Sequence, residues 1–219
     1  MVKKIRSMPE LEALIDEIGF LPFFANEISR FSIEERISPK LWFAGNVDGP
    51  WEWKGPIIRN GRCAYGKLFQ KKAGFVSLDW LPHLVNYRRD GYDFKDRYDD
   101  GLASYLDRQI YDTLVKHGHL RSTDLKRICG APKGFDTSLT RLQMQTYITI
   151  SDFLYAQDKY GMPYGWGIAQ YETLESLYSV ELVTSSYDED PEESGRLIFE
   201  HLKGLCPKAT ESQLKKIIG

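Results

Sequence analysis

The sequence predicts an α+β fold that is mainly helical. Apolar residues recur at helical spacing over most of the chain, whereas residues 147–171 change to the two-residue rhythm of β-strands. The composition is that of an ordinary globular protein, with 42% hydrophobic and 27% charged residues. At 219 residues the chain has room for one or two compact domains with a sizeable core.

Two helices are predicted between residues 104 and 130. The first carries apolar residues about one turn apart and ends at Gly118; these residues are Tyr105, Ile110, Leu114 and Val115. Ser122 or Thr123 then supplies a hydroxyl N-cap for a short helix that stops at Gly130. Its apolar residues are Leu125, Ile128 and Cys129.

A third helix is predicted after the turn at residues 131–134. Pro132 fixes one backbone angle of this turn, and Gly134 tolerates a positive one. Asp136 is expected to cap the helix, and Phe135, Leu139 and Leu142 to face the core. Polar side chains suited to base edges and phosphates then remain outside, namely Thr137, Thr140, Arg141 and Gln143.

A hairpin is predicted to follow, with a turn at residues 158–163 and a returning strand at 164–171. Three helices and a hairpin in this order are typical of a winged helix-turn-helix, which most often presents its third helix to a DNA groove and its hairpin to flanking phosphates. We predict this module at residues 103–173, with Lys159 of the hairpin as a further DNA contact. The alternative is that the module packs against another protein or domain, since a fold alone does not determine function.

The module is flanked by an N-terminal aromatic and basic α+β region, 1–102, and a C-terminal helical hairpin, 174–219. The last helix of this hairpin is predicted to begin at Thr210-Glu211-Ser212-Gln213. In the N-terminal region, helices are predicted from Met8 to Gly19 and after a cap at Ser32. Glycines and prolines around the tryptophans of residues 42–56 indicate irregular or short-strand structure. Residues 93–107 are largely polar, and Arg97-Tyr98-Asp99-Asp100-Gly101 is predicted to be a loop or linker into the module.

Basic residues are concentrated between Lys54 and Arg89, where the sequence contains eight of them and a single acid, Asp79. One interpretation is a surface that contacts phosphates beside the module, with Lys67, Lys71 and Lys72 as the candidate contacts. The other is that these cations only decorate the surface. We interpret the tryptophans nearby as core residues, because large aromatic side chains are usually buried; they are Trp42, Trp51, Trp53 and Trp80.

Composition and spacing exclude several classes of function. The formal charge of −2 gives no global attraction to nucleic acid, so any binding must come from local patches. The three cysteines and four histidines share no metal-ligand spacing, and no P-loop, nucleophile elbow or dinucleotide fingerprint occurs. We therefore expect no metal and no cofactor. No apolar run approaches a membrane span, and we expect a cytoplasmic protein whose partner is double-stranded DNA.

One tripeptide stands at the junction of the third helix and the hairpin: Gln143-Met144-Gln145. Together with the order of the elements, this Gln-apolar-Gln motif resembles the AlkZ and YcaQ group of DNA glycosylases and its AlkZ-related proteins. The stretches Gly49-Pro50-Trp51-Glu52-Trp53-Lys54 and Ala64-Tyr65-Gly66-Lys67 are also similar to AlkZ-related sequences. The resemblance covers most of the chain.

The resemblance implies that Gln143 and Gln145 are catalytic and position the water that displaces an alkylated or crosslinked base. Both amides face one water only if the chain is extended there, because residues two apart lie about 200° apart on a helix. A glutamine orients water without accepting its proton, so a carboxylate or the departing base must help. The alternative is two surface or capping glutamines that flank a buried Met144.

Three functions follow. The first is a winged-helix DNA-binding protein of the AlkZ-related kind that acts on or senses damaged DNA, a role in DNA repair. The second is a glycosylase that excises alkylated or crosslinked bases through the Gln-apolar-Gln motif. The third is a non-catalytic protein-interaction module, in which the N-terminal region covers the outer face of residues 136–145.

Overall fold

The structure is a computed structural model that describes residues 4–42 and 48–219. Part of the predicted irregular stretch, residues 43–47, lies outside these ranges. The described chain confirms an α+β fold in which about half of the residues are helical. Two small antiparallel sheets, each of three strands, complete the architecture of these residues.

The N-terminal half combines helices with the first sheet. Its helices are α1 (Met8–Ile18), α2 (Ile33–Arg36), α3 (Pro39–Trp42), α4 (Pro50–Arg59), α5 (Leu81–Arg89) and α6 (Phe94–Asp99). Its strands are β1 (Phe20–Pro22), β2 (Cys63–Phe69) and β3 (Lys72–Ser77). The strand order β1-β3-β2 places β3 in the centre, and Phe75 and Val76 of this strand are fully buried in the core.

The second half begins with three helices and a hairpin. In chain order its elements are α7 (Tyr105–His117), β4 (Leu120–Arg121), α8 (Ser122–Ile128), α9 (Phe135–Met144), β5 (Ile148–Gln157) and β6 (Pro163–Thr173). The two-residue strand β4 pairs with β6, which gives the sheet order β4-β6-β5. The remaining helices are α10 (Leu174–Tyr178), α11 (Val180–Val183), α12 (Pro191–Leu205) and α13 (Glu211–Ile218).

Short-range capping signals in the sequence are confirmed at several helix ends. Helix α1 ends at Gly19, whose φ of 74° favours glycine. The Ser32 hydroxyl accepts a hydrogen bond from the Glu35 amide at the start of α2, and Thr210 caps α13 in the same way. The hairpin turn is confirmed as well, since the Asp158 carboxylate accepts hydrogen bonds from two amides of the turn.

The prediction of irregular or short-strand structure was wrong for residues 50–59, which form helix α4. Pro50 suits a first helical turn, and the Glu52 carboxylate accepts a hydrogen bond from the Gly49 amide at 2.9 Å. Trp53 and Ile57, one turn apart, are buried on the core side of this helix. Burial of this face outweighs the poor helix propensity of the internal glycine and proline.

The prediction of a loop was also wrong for residues 97–99, which belong to helix α6. The Asp93 side chain accepts a hydrogen bond from the Asp96 amide at 2.8 Å and caps the helix. Phe94 is buried and stacks on Tyr111 of α7, with ring centroids 4.1 Å apart. Aromatic contacts of Phe94 with Tyr111 and Tyr147 thus fix a segment that is otherwise polar.

Three details of the central helices differ from the prediction. Four residues were expected in the apolar stripe of α7. Of these, Tyr105 and Val115 are 74% and 60% exposed, and only Ile110 and Leu114 are buried in the core. Helix α9 begins at Phe135 behind Gly134, whose φ is 88°, so Asp136 lies in the first turn instead of capping it. The hydroxyl expected to cap α8 belongs to its first residue, Ser122.

Two arginines at the end of α5 join the halves of the chain. The buried Arg89 guanidinium donates hydrogen bonds to the Thr146 carbonyl and the Glu175 carboxylate, and it lies 4.4 Å from the centre of the Tyr147 ring. Arg88 donates to the Met144 carbonyl at the end of α9 and to carbonyls of Ile217 and Ile218 at the end of α13. Helix α5 therefore holds α9, α10 and α13 in place.

Replacing Arg89 with alanine is expected to lower the free energy of unfolding by about 3–5 kcal/mol, because the Glu175 carboxylate loses its buried partner. Chemical denaturation followed by tryptophan fluorescence measures this loss. Arg196→Ala is the matched control, since Arg196 forms an exposed ion pair with Glu193 on one helix and should change stability little. Equal losses in the two variants would contradict the role given to Arg89.

Candidate nucleic-acid interface

Strand β2 packs directly against the C-terminal half of helix α9. Gln143 is fully buried at this junction, where its side-chain oxygen accepts a hydrogen bond from the Lys67 amide at 3.0 Å and its NH2 group donates to the Leu139 carbonyl at 3.0 Å. A Cβ atom on Gly66 would lie 3.2 Å from that oxygen, so glycine permits the close approach. The expectation that Gln143 lies on the outside was therefore wrong.

The Gln143-Met144-Gln145 motif is not extended. Gln143 lies in the last turn of α9, and Gln145 follows the helix with φ and ψ of −81° and 3°. Gln145 is partly exposed, whereas Gln143 is enclosed by β2. The condition that both amides face one water through an extended chain is not met here.

The nearby carboxylates are engaged in ion pairs. Asp152 accepts a hydrogen bond from Arg59 at 2.6 Å, and Asp136 accepts one from Lys126 at 2.9 Å. The two acids lie on different elements, β5 and α9, and each is bound to its own cation.

The outer edge of α9 brings three of the predicted contact residues together. The Lys67 ammonium lies 3.2 Å from the Thr140 hydroxyl, which itself donates to the Asp136 carbonyl at 2.7 Å. Thr137 lies one turn earlier on α9 and is exposed, as is Lys67. Lys67, Thr137 and Thr140 thus form one polar edge, which combines a cation from β2 with hydroxyls from α9.

Lys71 and Lys72 extend this edge past the end of α9. Gln70 and Lys71 form the turn between β2 and β3, with φ values of 50° and 64°. The Lys71 amide donates to the Met144 sulfur at 3.3 Å, which places the turn against the end of the helix. Both lysine side chains are exposed. We call Lys67, Lys71, Lys72, Thr137 and Thr140 the α9 edge.

Arg141 lies on the same helix but points to α7. Its guanidinium binds both carboxylate oxygens of Asp107, at 2.7 and 2.8 Å, and the Asp107 side chain is only 2% exposed. Burial alone would raise the pKa of Asp107, but hydrogen bonds from Arg141 and Ser104 outweigh it and hold the pKa below its usual value. The Arg141 side chain remains 41% exposed beside this pair.

Lys159 lies apart from the α9 edge, in the turn at the tip of the hairpin. Its side chain is exposed, and the ammonium lies 4.8 Å from the centre of the Tyr160 ring. Within the described ranges, no hydrogen bond or ion pair joins Lys159 to the α9 edge.

The local surplus of basic residues does not become a single basic surface. Arg59 and Arg62 form ion pairs with Asp152 and Asp16. Arg89 is buried and Arg88 binds carbonyl groups, while Lys54 is only 8% exposed. Of the eight cations counted between Lys54 and Arg89, the three lysines of the α9 edge are exposed without an ion pair to any described residue.

The tryptophans and the hairpin divide into buried and exposed aromatic groups. Trp42 and Trp53 are buried, and Trp51 and Trp80 pack partly buried against the core, which confirms the interpretation of these four as core residues. Sequence reasoning missed Trp166, which is 86% exposed on β6, and Lys54, which is enclosed between aromatic rings. The available signals were Trp166 standing between two glycines and Lys54 lying one helical turn after Trp51.

Neither a metal cluster nor a membrane helix occurs in the described part of the chain. No group of three or more His, Cys, Asp or Glu side chains among residues 4–42 and 48–219 is arranged to hold a metal ion. In the same ranges, no helix has the length and apolar character needed to cross a membrane.

Comparison with known proteins identifies the family. A family model described as AlkZ related matches residues 5–219. This chain belongs to the AlkZ-related family. The family places the chain in a DNA glycosylase-like group related to DNA repair. No curated protein and no solved structure gives a significant match to this AlkZ-related chain.

Replacing Gln143 with alanine is expected to lower the free energy of unfolding by about 1–3 kcal/mol, because the Lys67 amide loses its acceptor at a buried junction. Gln145→Ala is expected to change it by less than about 0.5 kcal/mol, since that side chain is partly exposed. Denaturation curves of both variants measure the difference. A Gln143→Ala protein as stable as the parent would contradict the structural role of this amide.

Proposed function

We propose that this AlkZ-related protein binds double-stranded DNA and acts on or senses damaged DNA. In this proposal, residues 104–173 are a winged helix-turn-helix, with α9 as the recognition helix and β5 and β6 as the wing. Family membership supports the link to DNA. The order of three helices and a hairpin, closed by the pairing of β4 with β6, supports the module.

The observation that carries the proposal is the contact between the Lys67 ammonium and the Thr140 hydroxyl, at 3.2 Å. It joins a cation of the N-terminal sheet to the outer face of α9. A phosphate beside Thr140 would therefore meet a positive charge supplied from outside the module. This arrangement offsets the formal charge of −2 of the whole chain with a local basic edge.

The half-covered helix limits how α9 enters a groove. Because β2 covers Gln143 and the turn after β2 lies against Met144, the part of α9 before Arg141 is left to approach base edges, through Thr137 and Thr140. Recognition helices commonly use their N-terminal residues for base contacts. The lysines of the α9 edge then contact phosphates on one side and Lys159 contacts them on the other. Arg141 contributes through its exposed guanidinium edge while it remains bound to Asp107.

Replacing Lys67, Lys71 and Lys72 together with alanine is expected to weaken binding to a short duplex and to reduce its salt dependence. Each lost phosphate contact lowers the slope of log affinity against log salt by about 0.9. Fluorescence anisotropy across a salt series measures both quantities. The matched control replaces three exposed lysines elsewhere, Lys40, Lys203 and Lys208, and should leave the slope unchanged. No salt-sensitive affinity of the parent protein at low ionic strength would refute the proposal.

A second candidate function is base excision, which membership of a glycosylase-like group favours. In this version Gln143 and Gln145 position the attacking water, and substrate binding would have to rearrange the junction with β2. Incubation with alkylated or crosslinked duplex is expected to leave abasic sites in the DNA. Alkaline treatment then converts these sites into strand breaks that can be counted on a gel. Gln145→Ala, which leaves the buried Gln143 junction intact, is expected to abolish the product. Absence of product from the parent protein, or unchanged product from the variant, would reject the motif as catalytic.

A further inference from the structure

Lys54 is a buried cation held between two aromatic rings. Its ammonium lies 4.7 Å from the centre of the Trp51 ring on α4 and 4.2 Å from that of Phe153 on β5. The residue is only 8% exposed. A lysine is seldom so deeply buried unless it is paired, so its surroundings require an explanation.

No carboxylate of the described chain neutralises Lys54. Glu52, the nearest acid in sequence, is occupied by the Gly49 amide at the start of α4. Asp152, which precedes Phe153, binds Arg59 at 2.6 Å. Within the described ranges, the ammonium makes no hydrogen bond and no ion pair, and the two ring faces are its partners.

Burial favours the neutral amine, whereas the two ring faces favour the ammonium. Burial lowers the pKa of Lys54 to about 8, against a smaller opposing effect of the Glu52 charge. At pH 7 about a tenth of Lys54 is then uncharged, on the order of a hundredfold more than for a lysine in water. A neutral amine is the nucleophilic form of lysine, and desolvation is a known way to activate it.

An exposed aromatic surface lies beside this amine. The Trp51 ring is 6.4 Å from that of Trp166, which stands 86% exposed on the hairpin. Tyr164, two residues earlier on the same strand, is 58% exposed. Exposed rings of this kind stack on unpaired or unstacked bases, and each base stacked contributes about 1–3 kcal/mol in known single-strand binding proteins.

We propose that Lys54 is a nucleophile for the aldehyde of an abasic site in DNA, with Trp166 stacked against a base beside the gap. The inference rests on the proposed function, because DNA binding by the winged helix brings the damaged strand to the hairpin. An abasic site combines the two features that this place would recognise. It offers a carbonyl carbon to the amine and leaves an unpaired base for the aromatic surface.

The chemistry balances without a further reactant. The Lys54 nitrogen lone pair attacks C1′ of the ring-opened sugar, and the carbonyl oxygen takes up a proton to give a carbinolamine. Loss of one water then forms the imine between Nζ and C1′. Hydrolysis reverses both steps, so the linkage is transient unless it is reduced.

The test incubates the full chain with a duplex carrying one abasic site and sodium cyanoborohydride, which reduces an imine to a stable amine. We expect a protein–DNA adduct on a denaturing gel and a modified Lys54 peptide by mass spectrometry. Lys54→Arg keeps the charge but loses the nucleophile, and it should reduce the adduct at least about tenfold. Lys54→Gln is the second variant if the arginine disturbs folding. Lys203→Arg, on the exposed face of α12, should leave the adduct unchanged.

Further measurements separate the outcomes. Binding of the abasic duplex without reductant is measured in parallel by anisotropy. Binding without an adduct at Lys54 overturns the inference and leaves the proposed function intact, whereas no binding to any duplex refutes both. Modification of Lys54 by free deoxyribose but not by the abasic duplex would also overturn the assignment to DNA.

Discussion

The arrangement of the whole chain depends on one buried cation, the guanidinium of Arg89. It ties the end of α5 to the Thr146 carbonyl before β5 and the Glu175 carboxylate after β6, at the open end of the hairpin. Burying such a group is costly unless every partner is present, so the contact enforces a single relative position of these elements. Arg88, the preceding residue, fixes the ends of α9 and α13 in the same way. The N-terminal region is thus part of the frame that positions α9.

Because the N-terminal region packs against α9, the α9 edge combines residues from both parts of the chain. Helix α9 is part of the central module in sequence, but β2 of the N-terminal region packs over the C-terminal part of its outer face. Gly66 allows this sharing, because a larger residue would press on the Gln143 oxygen. The result is an edge whose hydroxyls and cations come from segments about seventy residues apart in sequence, Lys67 and Thr140. Removing the N-terminal region would expose Gln143 and leave α9 without its basic neighbours.

Local signals in the sequence predicted much of the fold, and tertiary contacts account for the rest. Caps at Ser32, Thr210 and Gly19 depend on residues only a few positions away, so they can be predicted from the sequence alone. Helix α4 was missed because its glycine and proline oppose a helix, and only burial of Trp53 and its neighbours overrides them. The placement of Gln143 was missed for a related reason. Its burial comes from a strand far away in sequence, and helical periodicity alone gives no sign of that partner.

The pair between Arg141 and Asp107 has a consequence for the DNA recognition that we propose for α9. Asp107 belongs to the capping box of α7, where Ser104 also binds it, and it grips Arg141 through both oxygens. Rotation of α9 about its own axis would break these two hydrogen bonds. The rotational orientation of α9 relative to α7 is therefore fixed before any partner binds. A helix fixed in this way loses little orientational freedom on binding. Selectivity then depends on which partner fits a preset angle, rather than on adaptation of the helix.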